Sequence, residues 1–219
     1  KRSVSETSLL RHELGLPNTG FVFCCFNNSF KITPSTFTGW MRILKAVKGS
    51  VLWLFENNNN ASKNLKKEAM KFGINEDRLV FATYMPIEEH LNRIKQADLF
   101  IDTLPYNAHT TTSDALRMGL PVLTCMGNSF ASRVAASLLN AVNLPELITT
   151  TEEEYESLAI ELATDPEKLK IIKDKLASNL STAPLYNTKL FTKNLESAYT
   201  MMYDRYHQGL DPDHIYVKH

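Results

Sequence analysis

The sequence predicts an α/β fold, a doubly wound, mainly parallel, six-stranded Rossmann-like sheet with additional helices at its C-terminal end. Two observations lead to this prediction. Short runs rich in Val, Leu, Ile and Phe are nearly continuous rather than alternating with polar residues, as strands are when both faces of a parallel sheet are covered. These runs alternate with segments of helical periodicity, and a β-α-β-α order is typical of doubly wound sheets. The 219 residues suit a single domain of this kind.

Six apolar runs are the predicted strands, and five helical segments lie between them. The strands are Phe21 to Phe26, Val51 to Phe55, Arg78 to Ala82, Leu99 to Asp102, Pro121 to Thr124 and a short one near Leu147 to Thr149. The first helix begins at Thr33-Pro34, which supplies an N-cap and a first-turn proline, and keeps its apolar spacing to Val47. The others are Asn64 to Phe72, Glu88 to Gln96, Thr112 to Met118 and Ala131 to Asn140, and residues 57–60 are predicted to be a polar surface loop.

After about residue 150 the strand pattern stops and only helices are predicted. Thr151 to Glu154 is a capping box, and a helix follows it to Ala163. Two more run from Pro166 to about Leu180 and from Thr188 to Tyr206. We expect these helices, at about 151–207, to pack on the sheet formed by about 20–150, so that residues 1–219 make one domain.

Composition excludes several classes of function. Twenty-four basic and twenty-four acidic residues cancel, so nothing indicates a nucleic-acid or membrane-surface partner. No Gly-x-Gly-x-x-Gly or Gly-Lys-Ser/Thr motif is present, which argues against a dinucleotide-dependent dehydrogenase and a P-loop NTPase. The three cysteines lack metal-ligand or redox spacing and are expected to be buried thiols in a cytoplasmic protein. Asp211-Pro212-Asp213 is expected to be a plain turn, and no metal cofactor is expected.

The turn that follows the strand at Leu99 to Asp102 is the first candidate for a ligand site. His109-Thr110-Thr111 and Thr112 open a predicted helix at the carboxyl end of a strand, where ligands bind in open α/β sheets. A helix N-terminus carries unpaired N–H groups and attracts anions, and the hydroxyls and the His109 ring add donors. The alternative is that Thr111 or Thr112 only caps the helix.

Four further residues lie near predicted strand ends. Lys31 follows the first strand, where a fixed cation can neutralise a diphosphate, although it could equally be a solvated surface lysine. Asp114, in the first turn of the next helix, can accept hydrogen bonds from a ribose or simply favour the helix dipole. His90 and Arg93 share a helix face, so they could contact a base and a phosphate or form an ordinary surface pair.

Several segments together resemble a known family. They are Phe26 to Ile32, Pro34 to Thr36, Ser50 to Leu54, Glu88 to His90, His109 to Thr111, Ala131 to Ser137, Pro184 to Lys189 and Pro212 to His214. From about Gly20 to His214 the chain resembles the C-terminal lobe of the O-linked N-acetylglucosamine transferases, protein glycosyltransferases of family 41 with the two-lobed GT-B architecture. The run ASRVAAS at Ala131 to Ser137 and the turn HTT at His109 to Thr111 are specific in combination.

The resemblance implies a binding site for UDP-N-acetylglucosamine. It implies that Lys31 and the turn His109-Thr110-Thr111 contact the diphosphate, and Asn28 stands where the family usually has a glutamine. It implies that the lysine stabilises the leaving group. Ala108 replaces the glycine that usually precedes the turn.

The resemblance also implies how uridine binds. It implies that His90 stacks on the uracil with Arg93 beside it, and that backbone groups of Met85-Pro86-Ile87 read the edge of the base. Asp114 is implied to hold the ribose. Ile87 replaces a family lysine that contacts the nucleotide, so one positive charge is missing.

The family's general base and part of its acceptor cleft belong to an N-terminal catalytic lobe, and a tetratricopeptide array binds the protein substrate. The resemblance therefore implies a donor-binding lobe of a transferase that works without a metal and moves N-acetylglucosamine to Ser or Thr of proteins. Three alternatives stay open: a protein N-glucosyltransferase that uses UDP-glucose, a UDP-N-acetylglucosamine 2-epimerase-like isomerase, and a non-catalytic nucleotide-binding module.

Overall fold

The computed structural model describes residues 4–5 and 9–217 and confirms the predicted parallel sheet. The strands are β1 (Val22–Cys25), β2 (Val51–Phe55), β3 (Leu79–Ala82), β4 (Leu99–Ile101), β5 (Val122–Cys125) and β6 (Ile148–Thr149). They lie in the order β3-β2-β1-β4-β5-β6, and every neighbouring pair is parallel. Each predicted strand is present, with bounds within one residue of the prediction.

The strand order reverses between β1 and β4, which are hydrogen-bonded neighbours at the centre of the sheet. The connection from β1 leads to one side of the sheet and the connection from β4 to the other. A crevice therefore opens outside the carboxyl ends of these two strands, where open α/β sheets bind their ligands. The chain segments after β1 and β4 are those that carry Lys31 and His109.

Eight α-helices connect and cover the strands in the described ranges. They are α1 (Pro34–Ala46), α2 (Asn59–Lys71), α3 (Ile87–Ile94), α4 (Thr110–Arg117), α5 (Val134–Ala141), α6 (Glu152–Thr164), α7 (Pro166–Asn179) and α8 (Thr188–His207). Caps explain several of their starts. Thr33 Oγ1 accepts from the N–H of Thr36 at the start of α1, and Thr151 and Glu154 form the predicted capping box of α6.

Two predicted helix starts are wrong by three residues or more, and a third, that of α4, is wrong by two because α4 begins at Thr110 rather than Thr112. Helix α2 begins at Asn59 rather than Asn64, because Asn58 Oδ1 accepts hydrogen bonds from the N–H groups of Asn60 and Ala61 and so caps an earlier start. Half of the predicted loop at 57–60 is therefore helical. Helix α5 begins at Val134 rather than Ala131, because Phe130–Ser132 forms a separate 3₁₀ turn capped by Ser129.

The hydrophobic core covers both faces of the sheet. It also includes residues of helix α6, the first of the three helices that follow the last strand. Trp40 of α1 is fully buried, and its indole N–H donates to the hydroxyl of Tyr155 of α6 at 3.1 Å. That hydroxyl donates to the carbonyl of Asp102 at the end of β4 at 2.9 Å. This chain of hydrogen bonds ties α1, α6 and β4 together directly beneath the crevice.

The last three helices differ in how they pack. Helix α6 contacts strand β5, as expected from the sequence, and it also contacts α1, whereas helix α7 packs on α6. Helix α8 does not meet the expectation of packing on the sheet, because none of its described residues is buried. No described helix is both long enough and apolar enough to cross a membrane.

Arg78, immediately before β3, is predicted to stabilise the fold far more than an exposed arginine. Its guanidinium donates to the carbonyls of Leu44, Val47 and Ser50 at 2.6–2.9 Å, and so closes the connection from α1 to β2. We expect Arg78→Met to lower the free energy of unfolding by about 2–3 kcal/mol, because several carbonyls lose a charged donor. The measurement is urea unfolding followed by circular dichroism.

Arg42→Met is the matched control for Arg78→Met. Arg42 forms an ion pair with Glu156, but its side chain is 52% exposed, and exposed ion pairs contribute less than about 1 kcal/mol. Equal losses of stability in the two variants would contradict the role given to the Arg78 hydrogen bonds.

Candidate functional site

A cleft of about 570 Å³ lies at the carboxyl ends of β1, β2, β3 and β4. It brings together the predicted site residues except Pro86 and Asp114. Those that line it are Asn28, Lys31, Met85, Ile87, His90, Arg93, His109, Thr110 and Thr111. None of the described residues that line the cleft is a carboxylate. Its fixed charges are therefore positive, which suits an anionic ligand.

The N-terminus of α4 opens on this cleft without a side-chain cap. His109 is the N-cap residue, and its side chain makes no capping hydrogen bond. The proposed caps do not form: the Thr111 hydroxyl donates to Asn27 Oδ1 at 2.6 Å and the Thr112 hydroxyl donates to the Ala108 carbonyl at 3.1 Å. The alternative that these threonines merely cap the helix is therefore wrong, and the first N–H groups of α4 are left for another acceptor.

The Thr111 hydroxyl is committed to the protein rather than to a ligand. Its acceptor, Asn27, is buried at the end of β1 and donates in turn to Thr103 Oγ1 at 2.8 Å and to Asp102 Oδ1 at 3.2 Å. This set of bonds joins the start of α4 to the ends of β1 and β4. Thr111 can therefore bind a ligand through its backbone N–H, while its hydroxyl fixes the helix in place.

Asp102 organises the segment between β4 and α4, although it does not line the cleft. Its Oδ1 accepts from the N–H groups of Thr103 and Ala108, both at 2.7 Å, and its Oδ2 accepts from Thr124 Oγ1 at 2.8 Å. Burial raises the pKa of Asp102 to about 6, although hydrogen bonds from Thr124, Ala108, Thr103 and Asn27 act in the opposite direction. The sequence marked Asp102 only as a strand end.

Lys31 reaches the cleft from a 3₁₀ turn after β1. Its Nζ donates to the Asn107 carbonyl at 2.9 Å and lies 3.8 Å from the centre of the Tyr106 ring. Partial burial lowers the pKa of Lys31 below its ordinary value, and the charge of Asp102 offsets part of that effect. The side chain is therefore held in the cleft, which rules out the alternative of a freely solvated surface lysine.

His90 and Arg93 lie side by side on α3, but not as a surface pair. Arg93 is 1% exposed. Its Nε donates to His90 Nδ1 at 3.0 Å and its Nη1 to the Thr83 carbonyl at 2.6 Å. Burial, reinforced by the charge of Arg93, lowers the pKa of His90 to about 4, so the ring is neutral at pH 7. Arg93 thus fixes the ring of His90 and is itself largely enclosed.

The segment from β3 to α3 forms one wall of the cleft. Met85 and Ile87 line it, and Ile87 is 44% exposed. Asn28 also lines the cleft, and its Oδ1 accepts a long hydrogen bond from Asn57 Nδ2 at 3.4 Å. The segment from β3 to α3 therefore gives the cleft apolar side chains, and Ile87 contributes no charge.

Two predicted site residues lie outside the lining of the cleft. Pro86 is the N-cap residue of α3. Asp114 lies in the second turn of α4 rather than in the predicted first turn, because the helix begins at Thr110 and not at Thr112. It lines a neighbouring cavity with Arg117 and Tyr186, and this cavity shares His109 and Thr110 with the lining of the cleft. The contact of Asp114 with a ribose therefore stays a prediction.

Exposed aromatic rings at the mouth of the cleft were missed by sequence reasoning. Phe30 is 71% exposed, Tyr84 81% and Tyr106 41%, and all three line the cleft. The ring of Tyr106 also lies 5.2 Å from that of His109. The sequence does carry a signal for these rings, because aromatic residues stand in the turns at strand ends, next to Lys31 and Asn107.

Groups of three or more His, Cys, Asp or Glu with metal-binding geometry are absent from residues 4–5 and 9–217. Asp211 and Asp213 lie beyond α8 in an exposed segment, where Asp213 pairs with Arg205 at 3.6 Å. Cys24, Cys25 and Cys125 are free and buried, as predicted.

Known proteins are similar to nearly the whole chain. The model of glycosyl transferase family 41 matches residues 3–195. The chain is 37% identical over 213 residues to a Caenorhabditis elegans UDP-N-acetylglucosamine–peptide N-acetylglucosaminyltransferase, a match that covers 97% of this chain and 18% of that protein. The chain thus spans about a fifth of the length of the curated relatives it matches.

Solved structures show the same similarity. A mutant of the Thermobaculum terrenum O-GlcNAc transferase superposes with a TM-score of 0.80 at 33% identity, covering 84% of this chain and 36% of that one. Anabaena HepE in complex with UDP and glucose superposes with a TM-score of 0.62 at 16% identity, covering 88% of this chain and 51% of that one. The second similarity shows the fold alone.

Proposed function

Because the chain belongs to glycosyltransferase family 41, we propose that its cleft binds the UDP-sugar donor of a protein O-N-acetylglucosamine transferase. The whole protein would move N-acetylglucosamine from UDP to Ser or Thr side chains of other proteins. The curated relatives are named as UDP-N-acetylglucosamine–peptide N-acetylglucosaminyltransferases, the Arabidopsis thaliana one as probable. The uncapped N-terminus of α4, which faces the cleft beside Lys31, is the observation that carries the proposal.

The geometry supports one orientation of the donor. The neutral ring of His90 and the wall formed by Met85 and Ile87 suit a uracil. Lys31 and the first N–H groups of α4 suit the diphosphate, because both present positive charge to the cleft. The sugar then lies at the mouth of the cleft. Asp114 would reach the ribose from the neighbouring cavity.

The proposed reaction is a displacement at the anomeric carbon. The hydroxyl oxygen of Ser or Thr bonds to that carbon, the bond from the carbon to the diphosphate oxygen breaks, and its electron pair stays on the diphosphate. The acceptor proton goes to a base outside this chain. Lys31 and α4 stabilise the charge that grows on the leaving group, so we propose that no metal is needed for this task.

The remaining partners belong to the proposal as well. The relatives are about five times longer than this chain, so they have room for an N-terminal catalytic lobe and for a tetratricopeptide array that binds the protein acceptor. We place the protein in the cytoplasm, and its three free thiols fit a reducing compartment.

Calorimetric titration of this chain with UDP, UDP-N-acetylglucosamine and UDP-glucose tests the donor site. We expect all three to bind, with a preference for UDP-N-acetylglucosamine. Absence of UDP binding would refute the donor site. Preference for UDP-glucose, together with transfer to Asn by the native polypeptide, would replace the proposed reaction by the N-glucosyltransferase alternative.

His90 is predicted to bind uracil through its ring rather than through its charge. His90→Gln keeps an acceptor for Arg93 but removes the ring, and we expect it to weaken UDP binding roughly tenfold, as loss of a base-stacking residue does. His90→Phe keeps the ring and is expected to bind UDP within about threefold of wild type, because stacking is preserved. Calorimetry with UDP measures both, and a larger loss in His90→Phe than in His90→Gln would contradict stacking.

A further inference from the structure

The ring of Tyr106 lies close to two of the groups that would bind the diphosphate. The Lys31 ammonium lies 3.8 Å from its centre, and the His109 ring centre lies 5.2 Å from it. The distance to Lys31 is well inside the range of a cation–π contact. Tyr106 lines the cleft and is 41% exposed, and the Lys31 ammonium against its ring is partly buried.

The ammonium of Lys31 has three N–H donors. One donates to the carbonyl of Asn107 at 2.9 Å, and the Tyr106 ring covers a second side. No other protein acceptor bonds Lys31 Nζ in the described ranges. Two consecutive residues of one turn thus hold the ammonium and leave a donor for a ligand in the cleft.

The turn that carries Tyr106 is fixed from below. The Thr103 hydroxyl donates to the Tyr106 carbonyl at 2.6 Å, and the Asn107 side-chain amide donates to the Thr103 carbonyl at 2.7 Å. Buried hydrogen bonds therefore set the backbone from which the ring projects. The position of the ring over Lys31 follows from the fold and needs no hydrogen bond from the phenol.

We propose that Tyr106 is a positioning residue that holds the Lys31 ammonium at the diphosphate site through a cation–π contact. This inference rests on the proposed function of the cleft. By excluding water from one side of the ammonium, the ring strengthens the attraction between Lys31 and a phosphate oxygen. Tyr106 should therefore affect ligands that carry a diphosphate and leave a nucleoside unaffected.

The test compares UDP and uridine binding in Tyr106 variants of the full 219-residue chain. Tyr106→Leu removes the π system and keeps an apolar side chain, and we expect it to weaken UDP binding roughly 3- to 30-fold, the range of a cation–π contact. Tyr106→Phe keeps the ring and should bind UDP as wild type does. Uridine binding, measured by ligand-observed NMR, should be equal in all three proteins. Tyr199→Leu on α8, outside the cleft, is the matched control.

A double-mutant cycle separates positioning from a general structural role. In a Lys31→Met background, we expect Tyr106→Leu to cause no further loss of UDP affinity, because the contact is already absent. An equal loss in both backgrounds, or an unchanged affinity of Tyr106→Leu for UDP, would overturn the inference. Failure of wild type to bind UDP would instead overturn the proposed function, so the two failures are distinguishable.

Discussion

Lys31→Ala is expected to reduce sugar transfer by the native polypeptide about a hundredfold or more, the usual cost of removing one group that stabilises transition-state charge. Lys31 is a cation of the cleft whose ammonium donates to the Asn107 carbonyl and contacts the Tyr106 ring. The loss should fall mainly on kcat, because the charge of the diphosphate rises as the bond to the sugar breaks. UDP affinity should fall less than the rate.

Initial-rate measurements with UDP-N-acetylglucosamine and calorimetry with UDP check this expectation. Lys48→Ala is the matched control, because Lys48 is exposed and precedes β2 at the opposite end of the sheet from the cleft. Near-normal turnover by Lys31→Ala would remove Lys31 from the proposed mechanism.

The pH dependence of UDP binding gives a second measurement on Lys31. Burial lowers the pKa of its ammonium, so the charged form is lost as pH rises through a value below that of an ordinary lysine. UDP affinity should therefore decline on the alkaline side in wild type. The decline that is due to Lys31 should be absent in Lys31→Ala.

The sheet was predictable because each strand is a compact apolar run. Val51 to Phe55 was predicted with its observed bounds, since both faces of the strand are covered and the run has no polar interruption. Helix starts were harder. Asn58 begins α2 through its side chain, and the sequence places four asparagines there that could each be a cap.

The candidate site was predictable at the level of position and less so at the level of contacts. Lys31, His90 and His109 follow different strands, and the carboxyl ends of parallel strands meet at one edge, so their meeting in one cleft follows from the topology. The direction of each side chain depends on residues distant in sequence. The Thr111 hydroxyl is taken by Asn27, and no local pattern indicates that bond.

The positions of two site residues in the fold determine roles that their residue types alone do not predict. Arg93 belongs to the residues that are rarely buried, yet it is 1% exposed and supports His90. Asp114 lies on α4 as predicted, but one turn later than expected, and it lines the neighbouring cavity with Arg117 and Tyr186. These side-chain positions depend on the rotation of each helix about its axis against the sheet. Hydrophobic periodicity predicts which face of a helix is buried, but not that rotation.

Asp102→Ala is expected to have the largest effect on stability, more than about 3 kcal/mol, because buried donors left without an acceptor cost about 1–3 kcal/mol each. The donors are the N–H groups of Thr103 and Ala108, the Asn27 amide and the Thr124 hydroxyl. They hold the segment that carries Tyr106 and leads into α4. UDP binding should therefore be lost together with stability, as measured by urea unfolding and calorimetry.

Asp102→Asn separates the hydrogen bonds from the charge. The Oδ1 of the asparagine can accept hydrogen bonds from the same three N–H groups. Its Nδ2 can donate to the Thr124 hydroxyl, which then accepts a hydrogen bond instead of donating one.

The carboxyl of Asp102 has a pKa of about 6 in the folded chain and about 4 when unfolded. Between these values the folded state retains a proton that the unfolded state has lost, so the contribution of Asp102 to stability is present at low pH and declines as pH rises through the window. The difference in unfolding free energy between wild type and Asp102→Asn should therefore shift by roughly 2 kcal/mol between pH 4 and 7, at roughly 1.4 kcal/mol for each unit of pKa, because Asp102 of the unfolded chain is already half ionised at pH 4. Urea unfolding of both proteins across this range measures the shift, and parallel pH profiles would show that folding does not raise the pKa of Asp102.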